Sequence, residues 1–308
     1  MQSYTRMNIR HALGLACPPT WAASVFPVLL GAALAWALAG EFSWLVFLLL
    51  LAASILLQSS VNTINDYYDF LKGNDQKENS DDPGDAVLVY NDLDPHQVKR
   101  LGFGFMAAAV LLGIYPVYRG GLITLIIGLC GCLVIIAYSA GKKPISYMPL
   151  GEIVSGLVMG GLITLAAFSA FTASFRWEVL YLATPLFFGI ALIMMTNNIC
   201  DIERDAPIGR KTLPVLLGRS RARFVYLAAV IIWLFLLIIC TAGHFRGGLL
   251  ALCLLLLATL PVWLRLFRLL LLPKQRKQGM STITQANICA NSAYIAAILI
   301  HAWVRYLG

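Results

Sequence analysis

Two acidic stretches carry the chemistry-bearing residues of this chain: Asn65-Asp66-Tyr67-Tyr68-Asp69 and Asn197-Asn198-Ile199-Cys200-Asp201-Ile202-Glu203-Arg204-Asp205. Of 15 Asp and Glu residues, nine fall within 66–94 and three within 201–205. The other three are Glu41, Glu152 and Glu178. Asp66 and Asp69 are three apart, and Asp201 and Asp205 four apart, spacings that stack carboxylates on one face at a helix end. Like charges that close repel, so such a pair calls for a cation between them. Mg²⁺ suits the pattern: it takes hard oxygen ligands, keeps several waters, and is held by one or two carboxylates together with substrate phosphates. Asp66, Asp69, Asp201 and Asp205 are therefore the candidate metal ligands and catalytic residues, with Asn65 and Asn198 as neutral oxygen ligands or amide donors beside them.

Lys72, Lys142, Lys143, Arg204, Arg210, Lys211 and Arg219 lie in the same or adjoining loops. Carboxylates, a divalent cation and Lys/Arg together suit a diphosphate: the metal bridges acid and phosphate, and the cations offset the remaining charge. Lys72, Lys142, Arg210 and Lys211 are the candidate diphosphate-binding cations. If apolar helices surround this site, the ligand is an amphiphile with its diphosphate at the surface and its hydrocarbon chain in the membrane.

The elements that must position these residues are membrane helices. The chain is 59% hydrophobic and 12% charged, too apolar for a soluble domain. Nine apolar runs are long enough to span a bilayer, near 20–39, 42–64, 101–118, 121–140, 150–171, 178–198, 223–243, 247–270 and 283–305. The expected fold is all-α, a polytopic membrane protein of nine transmembrane helices around a central cavity, because a backbone in hydrocarbon must satisfy its own hydrogen bonds. With nine spans, 19 of 23 Lys and Arg fall on the side of the N-terminus and 4 on the other. That asymmetry places the N-terminus and both acidic motifs on the cytoplasmic face of the cell membrane. The net charge of +8 then reflects orientation and anionic lipid rather than nucleic acid.

Residues 1–308 read as one domain with two long polar loops, 65–100 and 199–222. The placement of the motifs after the second and sixth runs hints at two related halves. Asp81, Asp82, Asp85, Asp92 and Asp94 read as solvated loop charge, with a short helix expected near Pro95. The seven cysteines are scattered, mostly in apolar runs, and form no C-x-x-C pair. Neither a zinc site nor a disulfide framework is indicated. An ion-transport site is expected at mid-bilayer with intramembrane charges, whereas these runs are nearly charge-free.

These motifs resemble those of the UbiA-type family of intramembrane prenyltransferases, over nearly the full chain. Within it the chain is most similar to the branch that prenylates 1,4-dihydroxy-2-naphthoate in menaquinone biosynthesis. Asn65 to Asp69 followed by Lys72-Gly73 and Asp75 carries that likeness, as do Asn197-Asn198 with Asp201, Asp205, Gly209-Arg210 and Thr212-Leu213. Tyr138, Gly141, Pro144, Tyr147, Leu150-Gly151-Glu152, Thr20 and Pro27 extend it. Cys17-Pro18 stands where the family commonly has Arg-Pro, with Arg10 nearby, Leu216 stands where it has a later Arg, and Asp82 to Asp94 departs from its glycine-rich sequence. The resemblance implies Mg²⁺-dependent transfer of a polyprenyl group from polyprenyl diphosphate to an aromatic acceptor. It leaves 4-hydroxybenzoate, a haem, homogentisate, a tetrapyrrole or a lipid alcohol open as acceptor, and a transporter or lipid-binding protein on the same scaffold as the rival class. Tyr67, Tyr68, Tyr138 and Tyr147 then shield a carbocation or sit in an interfacial belt. Glu152 either adjoins the acceptor or is a helix-start charge.

Overall fold

The computed structural model describes residues 4–74 and 86–307. Asp75, Asp81, Asp82 and Asp85, all singled out above, lie outside the described residues. The fold is helical, and among the described residues the only β pairing is a single bridge between Thr5 and Leu93. A surface helix, α1 (Ile9–Ala16), leads into α2 (Ala22–Ala39) and α3 (Trp44–Leu71). A one-turn helix, α4 (Val87–Tyr90), precedes α5 (Pro95–Ser139). Then follow α6 (Gly151–Thr172), α7 (Thr184–Cys200), α8 (Arg219–His244), the pair α9 (Leu249–Ala258) and α10 (Leu260–Arg268), and α11 (Arg276–Leu307).

By length and apolarity six of these helices can cross a membrane, and the α9–α10 region, bent by 57°, makes a seventh if counted as one span. The nine apolar runs are largely helical, although 178–198 is divided at Ala183 and 247–270 at Thr259. The sequence count exceeds this one for two local reasons. α5 is continuous in hydrogen bonding but broken at Gly121 (φ 68°, ψ −154°), a conformation only glycine adopts without strain. Its two halves are the separate runs 101–118 and 121–140. α7, at 17 residues, is short.

Polar groups define the helix ends. The Asn8 side chain accepts from the His11 N–H at 3.0 Å, and Asp94 accepts from His96 at 2.9 Å with Pro95 at the first helical position. Such caps satisfy N–H groups that have no partner within the helix. Asp94 therefore caps a 45-residue helix rather than sitting free in a loop.

The core is built by α2, α6, α7, α8 and α11, around buried Trp233, Tyr226, Tyr294 and Phe168. Leu111, Ile114, Leu122, Leu133, Phe224 and Leu250 are exposed, as expected of a surface solvated by lipid. Trp44 and Trp177, each opening a helix, and Tyr118, beside the break in α5 at Gly121, are also exposed and suit a membrane interface. Helix packing depends on small residues. Gly160 lies in a π-helical stretch, Gly156–Leu162, and a Cβ there would sit 2.5 Å from the backbone nitrogen of Phe187 on α7.

Replacing Gly160 by Val should therefore push α6 and α7 apart, at a cost of about 1–3 kcal/mol. Gly104→Ala, where a Cβ meets nothing within 4 Å, should be neutral. Thermal unfolding in detergent tests this; equal melting temperatures for the two variants would contradict the close α6–α7 approach.

Candidate active site

The first motif lies on the final turns of α3 rather than on a loop. Carboxylates at a helix C-terminus oppose the macrodipole, so α3 would be expected to end before Asp66. Side-chain partners offset the penalty. Asn65 donates from Nδ2 to Asp69 Oδ2 at 2.9 Å, one helical turn on. Asn74 donates to Asp69 Oδ1 at 2.8 Å. The Asp66 carboxylate accepts the backbone N–H groups of Val87 and Leu88 at 3.0 and 3.3 Å. Asp66 thus anchors α4 over the end of α3. Tyr67 packs beneath α4 with Leu15, Leu88 and Leu93, edge-on to Tyr68 at 5.1 Å.

The two motifs meet through Arg210. Its Nη2 donates to Asp69 Oδ1 at 2.7 Å, and its Nη1 to Asp205 Oδ1 at 3.3 Å. The guanidinium lies 5.0 Å from the Tyr147 ring centroid, and Lys72 Nζ lies 4.8 Å from the same ring. The Tyr147 hydroxyl contacts Asn74 Nδ2 at 2.6 Å. Burial is the main cause of a raised Asp205 pKa, about 6, against the pull of Arg210. Burial also lowers the Lys72 pKa, with Asp69 opposing and Arg210 assisting. Lys72 donates to the Ser139 carbonyl at 2.7 Å, and Ser139 donates to Asn65 Oδ1 at 2.9 Å.

Asp201, at the end of α7, pairs with Arg276 Nε at 3.0 Å. Arg276 Nη2 also donates to Asn197 Oδ1 at 2.7 Å. Asn198 donates to Glu152 Oε1 at 2.9 Å, leaving Glu152 Oε2 buried without a partner among the described residues.

These groups surround the mouth of a cavity of about 670 Å³. Asn65, Asp66, Asp69, Tyr138, Asn198, Asp201 and Arg210 line it, with Arg204 and Arg276. Away from the mouth, Val28, Leu50, Ala53, Leu57, Ile127 and Ile163, all buried or half-buried, make it apolar. Asp205, Lys72, Tyr147 and Glu152 stand one layer behind, each through a contact given above. Lys142 and Lys211 are exposed and outside the lining; Tyr67, buried, and Tyr68, half-buried, also lie outside it. The Lys211 backbone N–H donates to the Tyr147 carbonyl at 3.0 Å.

The sequence reading missed Arg276 and Asn74 as site residues. Arg276 carried a signal: an arginine that opens a helix without an acid in its first turn runs against the dipole and calls for an anion elsewhere. Asn74 carried none, because its partners are fixed by tertiary structure. The donor set fits Mg²⁺. Carboxylate and amide oxygens of both motifs share one mouth, and among the described residues no three His, Cys, Asp or Glu converge as a complete protein cage. That leaves coordination positions for phosphate oxygens and water, as this ion prefers.

The model of the UbiA prenyltransferase family matches residues 24–286. A 1,4-dihydroxy-2-naphthoate octaprenyltransferase of Bacillus subtilis (strain 168) is 34% identical over 208 residues, 68% of this chain and 66% of that protein. A UbiA prenyltransferase domain-containing protein 1 homolog of Drosophila melanogaster is 31% identical over 239 residues, 73% of this chain and 62% of its own length. The match thus spans slightly less than two thirds of these relatives. The structure of a UbiA homolog from Archaeoglobus fulgidus bound to DMAPP and Mg²⁺ superimposes with a TM-score of 0.64 at 18% identity, covering 92% of this chain and 98% of that one. At that identity the likeness is one of fold.

Removing the Arg210 side chain should leave Asp69 and Asp205 buried without their shared cation. Arg210→Ala should cost roughly 3 kcal/mol, read as a lower melting temperature in detergent, with Arg210→Lys intermediate. An unchanged melting temperature for Arg210→Ala would sink the bridge as the tie between the motifs.

Proposed function

The chain belongs to the UbiA prenyltransferase family, and from that premise we propose that it transfers a polyprenyl group from polyprenyl diphosphate to an aromatic acceptor, 1,4-dihydroxy-2-naphthoate, in menaquinone biosynthesis. The observation that carries the reading is the cavity with a charged mouth and an apolar interior. Such a shape matches a diphosphate with a hydrocarbon tail. The naphthoate acceptor rests on the likeness to the Bacillus subtilis protein; 4-hydroxybenzoate, homogentisate, a haem or a lipid alcohol are the alternatives within the family.

Asp66, Asp69, Asp201 and Asp205 would hold Mg²⁺, with Asn65 and Asn198 beside them. When bound, the ion supplies positive charge for the departing diphosphate. The chain's own cations do the rest of that work. Arg210 and Arg276 line the mouth and can turn N–H groups from carboxylate to phosphate oxygen, while Lys72 adds charge from behind. Preorganised donors of this kind lower the barrier wherever negative charge develops. The allylic C–O bond breaks with its electron pair on the diphosphate, an electron pair of the ring forms the new C–C bond, and the attacked ring carbon then releases its proton, or its carboxyl group as CO2, to restore aromaticity. The apolar walls exclude water from the electrophile, and Tyr138 offers it a π face from the lining. Tyr147 lies between Lys72 and Arg210 and orders them.

In this reading the protein has nine spans: the two halves of α5, α7 and the α9–α10 pair complete the count. The motif end and the N-terminus face the cytoplasm across the cell membrane, an orientation supported by the Lys/Arg asymmetry.

The test is incubation of the purified chain with Mg²⁺, labelled polyprenyl diphosphate and a panel of acceptors. Prenylated naphthoate is expected; no product with any acceptor, where a control enzyme works, would overturn the proposal. Chelation should abolish turnover and added Mg²⁺ restore it. Asp69→Asn and Asp201→Asn, which keep side-chain shape, should each lower kcat by about 100-fold or more. Near wild-type kcat in both would remove the carboxylates from the reaction.

A further inference from the structure

A line of polar side chains continues from the first motif into the bundle. Ser54, Gln58, Asn62 and Asp66 follow one another at helical spacing on α3, and all line the cavity. At about 1.5 Å per residue, Gln58 lies about 12 Å deeper than Asp66. A polar side chain at that depth in a membrane helix needs a partner, and most here are used up by the protein. The Ser54 hydroxyl donates to the Ser24 carbonyl at 2.9 Å. On neighbouring faces, Ser60 donates to the Gly102 carbonyl at 2.8 Å, and Thr63 to that of Ser59 at 2.7 Å.

Gln58 differs. Asn62 Nδ2 donates to the Ala16 carbonyl at 2.9 Å. A carbonyl can only accept, so this contact fixes which end of the Asn62 amide is nitrogen. Asn62 Oδ1 then faces Gln58 Nε2 at 3.4 Å. Gln58 Nε2 also donates to Thr20 Oγ1 at 3.2 Å, and Thr20 gives its own hydrogen to the Cys17 carbonyl at 2.9 Å. Flipping the Gln58 amide would set its oxygen against two acceptors. The network therefore points Gln58 Oε1 away from it. That oxygen, on a buried residue in the cavity wall, accepts no hydrogen bond among the described residues.

An acceptor oxygen at this depth selects for a donor. The prenyl chain has none, and an ionised diphosphate has only acceptors. A phenolic hydroxyl is the one donor that the two substrates of the proposed reaction bring. The cations Arg204, Arg210 and Arg276 all belong to the mouth, whereas Thr20, Ser24, Ser54, Gln58 and Asn62 form a neutral inner wall suited to a hydroxyl rather than a carboxylate. We propose that Gln58, oriented by Asn62 and Thr20, is the specificity-determining residue for the aromatic acceptor, accepting a hydrogen bond from its ring hydroxyl. This rests on the prenyl-transfer reading.

Binding to the purified full chain tests it, with matched probes that differ only in the donor: 1-hydroxy- against 1-methoxy-2-naphthoate, and 4-hydroxy- against 4-methoxybenzoate. Wild type should favour the hydroxylated member of at least one pair on the order of tenfold. Gln58→Met, similar in length and without an acceptor oxygen, should bring the two members within about twofold. Mg²⁺-dependent binding of a polyprenyl diphosphate, measured in parallel, should be unchanged in Gln58→Met, which also reports that the variant is folded. Equal binding of hydroxy and methoxy probes to wild type would overturn the proposal without any variant, as would binding of none of the four. So would discrimination that survives in Gln58→Met, which would leave bound water as the donor to Oε1. If wild type also fails to bind the diphosphate, the prenyl-transfer reading falls too; if it binds, only the acceptor contact does.

Discussion

The constraint on which the structure turns is the cost of keeping several carboxylates together at the rim of an apolar bundle. Each ionised acid taken from water needs a partner with good geometry. Here the two motifs supply partners to one another: Arg210 from the second-motif region holds Asp69 of the first together with Asp205 of its own. Arg276 on α11 takes Asp201, and the backbone of α4 takes Asp66. The acidic groups thereby become the fastening between α3, α4, the loop after α7 and α11. An assembly that binds an anion through these groups must exchange those bonds.

This arrangement explains why so much of the fold was legible in the sequence and so little of the site's wiring. Apolar runs report helices because lipid permits nothing else, and the concentration of acids marked the end of the bundle where chemistry sits. The roles of the individual acids were not legible. Asp66 and Asp69 looked like one pair, yet Asp66 caps α4, 21 residues on, and Asp69 reaches Arg210, 141 residues on. No local pattern encodes such distances. Lys142 and Lys211 had the right charge and neighbourhood, but exposed turns carry them outside the lining, whereas Arg276, counted only toward orientation, lies inside it.

Gln58, Asn62 and Thr20 were hidden for a different reason. They are single polar residues inside apolar runs, and a hydropathy reading averages them away. Their signal is the recurrence of Ser54, Gln58, Asn62 and Asp66 at every fourth residue, which only becomes meaningful once the helix face is known to border a cavity. Depth also matters: a glutamine on a solvated surface needs no explanation, but one about 12 Å inside the bundle does.

The same hydrogen bonds bear on a hazard of the proposed reaction. An allylic electrophile formed beside the mouth is open to capture by any free oxygen nucleophile, including those of the protein. In the inner wall beside Gln58 the hydroxyls of Thr20, Ser24 and Ser54 are already committed. Ser24 donates to the Trp21 carbonyl, Ser54 to that of Ser24, and Thr20 gives its hydrogen to Cys17 while accepting from Asn62 and Gln58. A hydroxyl whose proton is held by a backbone carbonyl has no adjacent base to release it, and Thr20 has both lone pairs engaged as well. Gln58 Oε1 remains available, and a hydroxyl bound to it would occupy that oxygen too. With the carboxylates at the mouth engaged by arginines and backbone N–H groups, the ring of a bound acceptor competes with fewer oxygen nucleophiles. Selectivity for that ring would then come in part from committing these neighbouring hydroxyls, as well as from binding the ring.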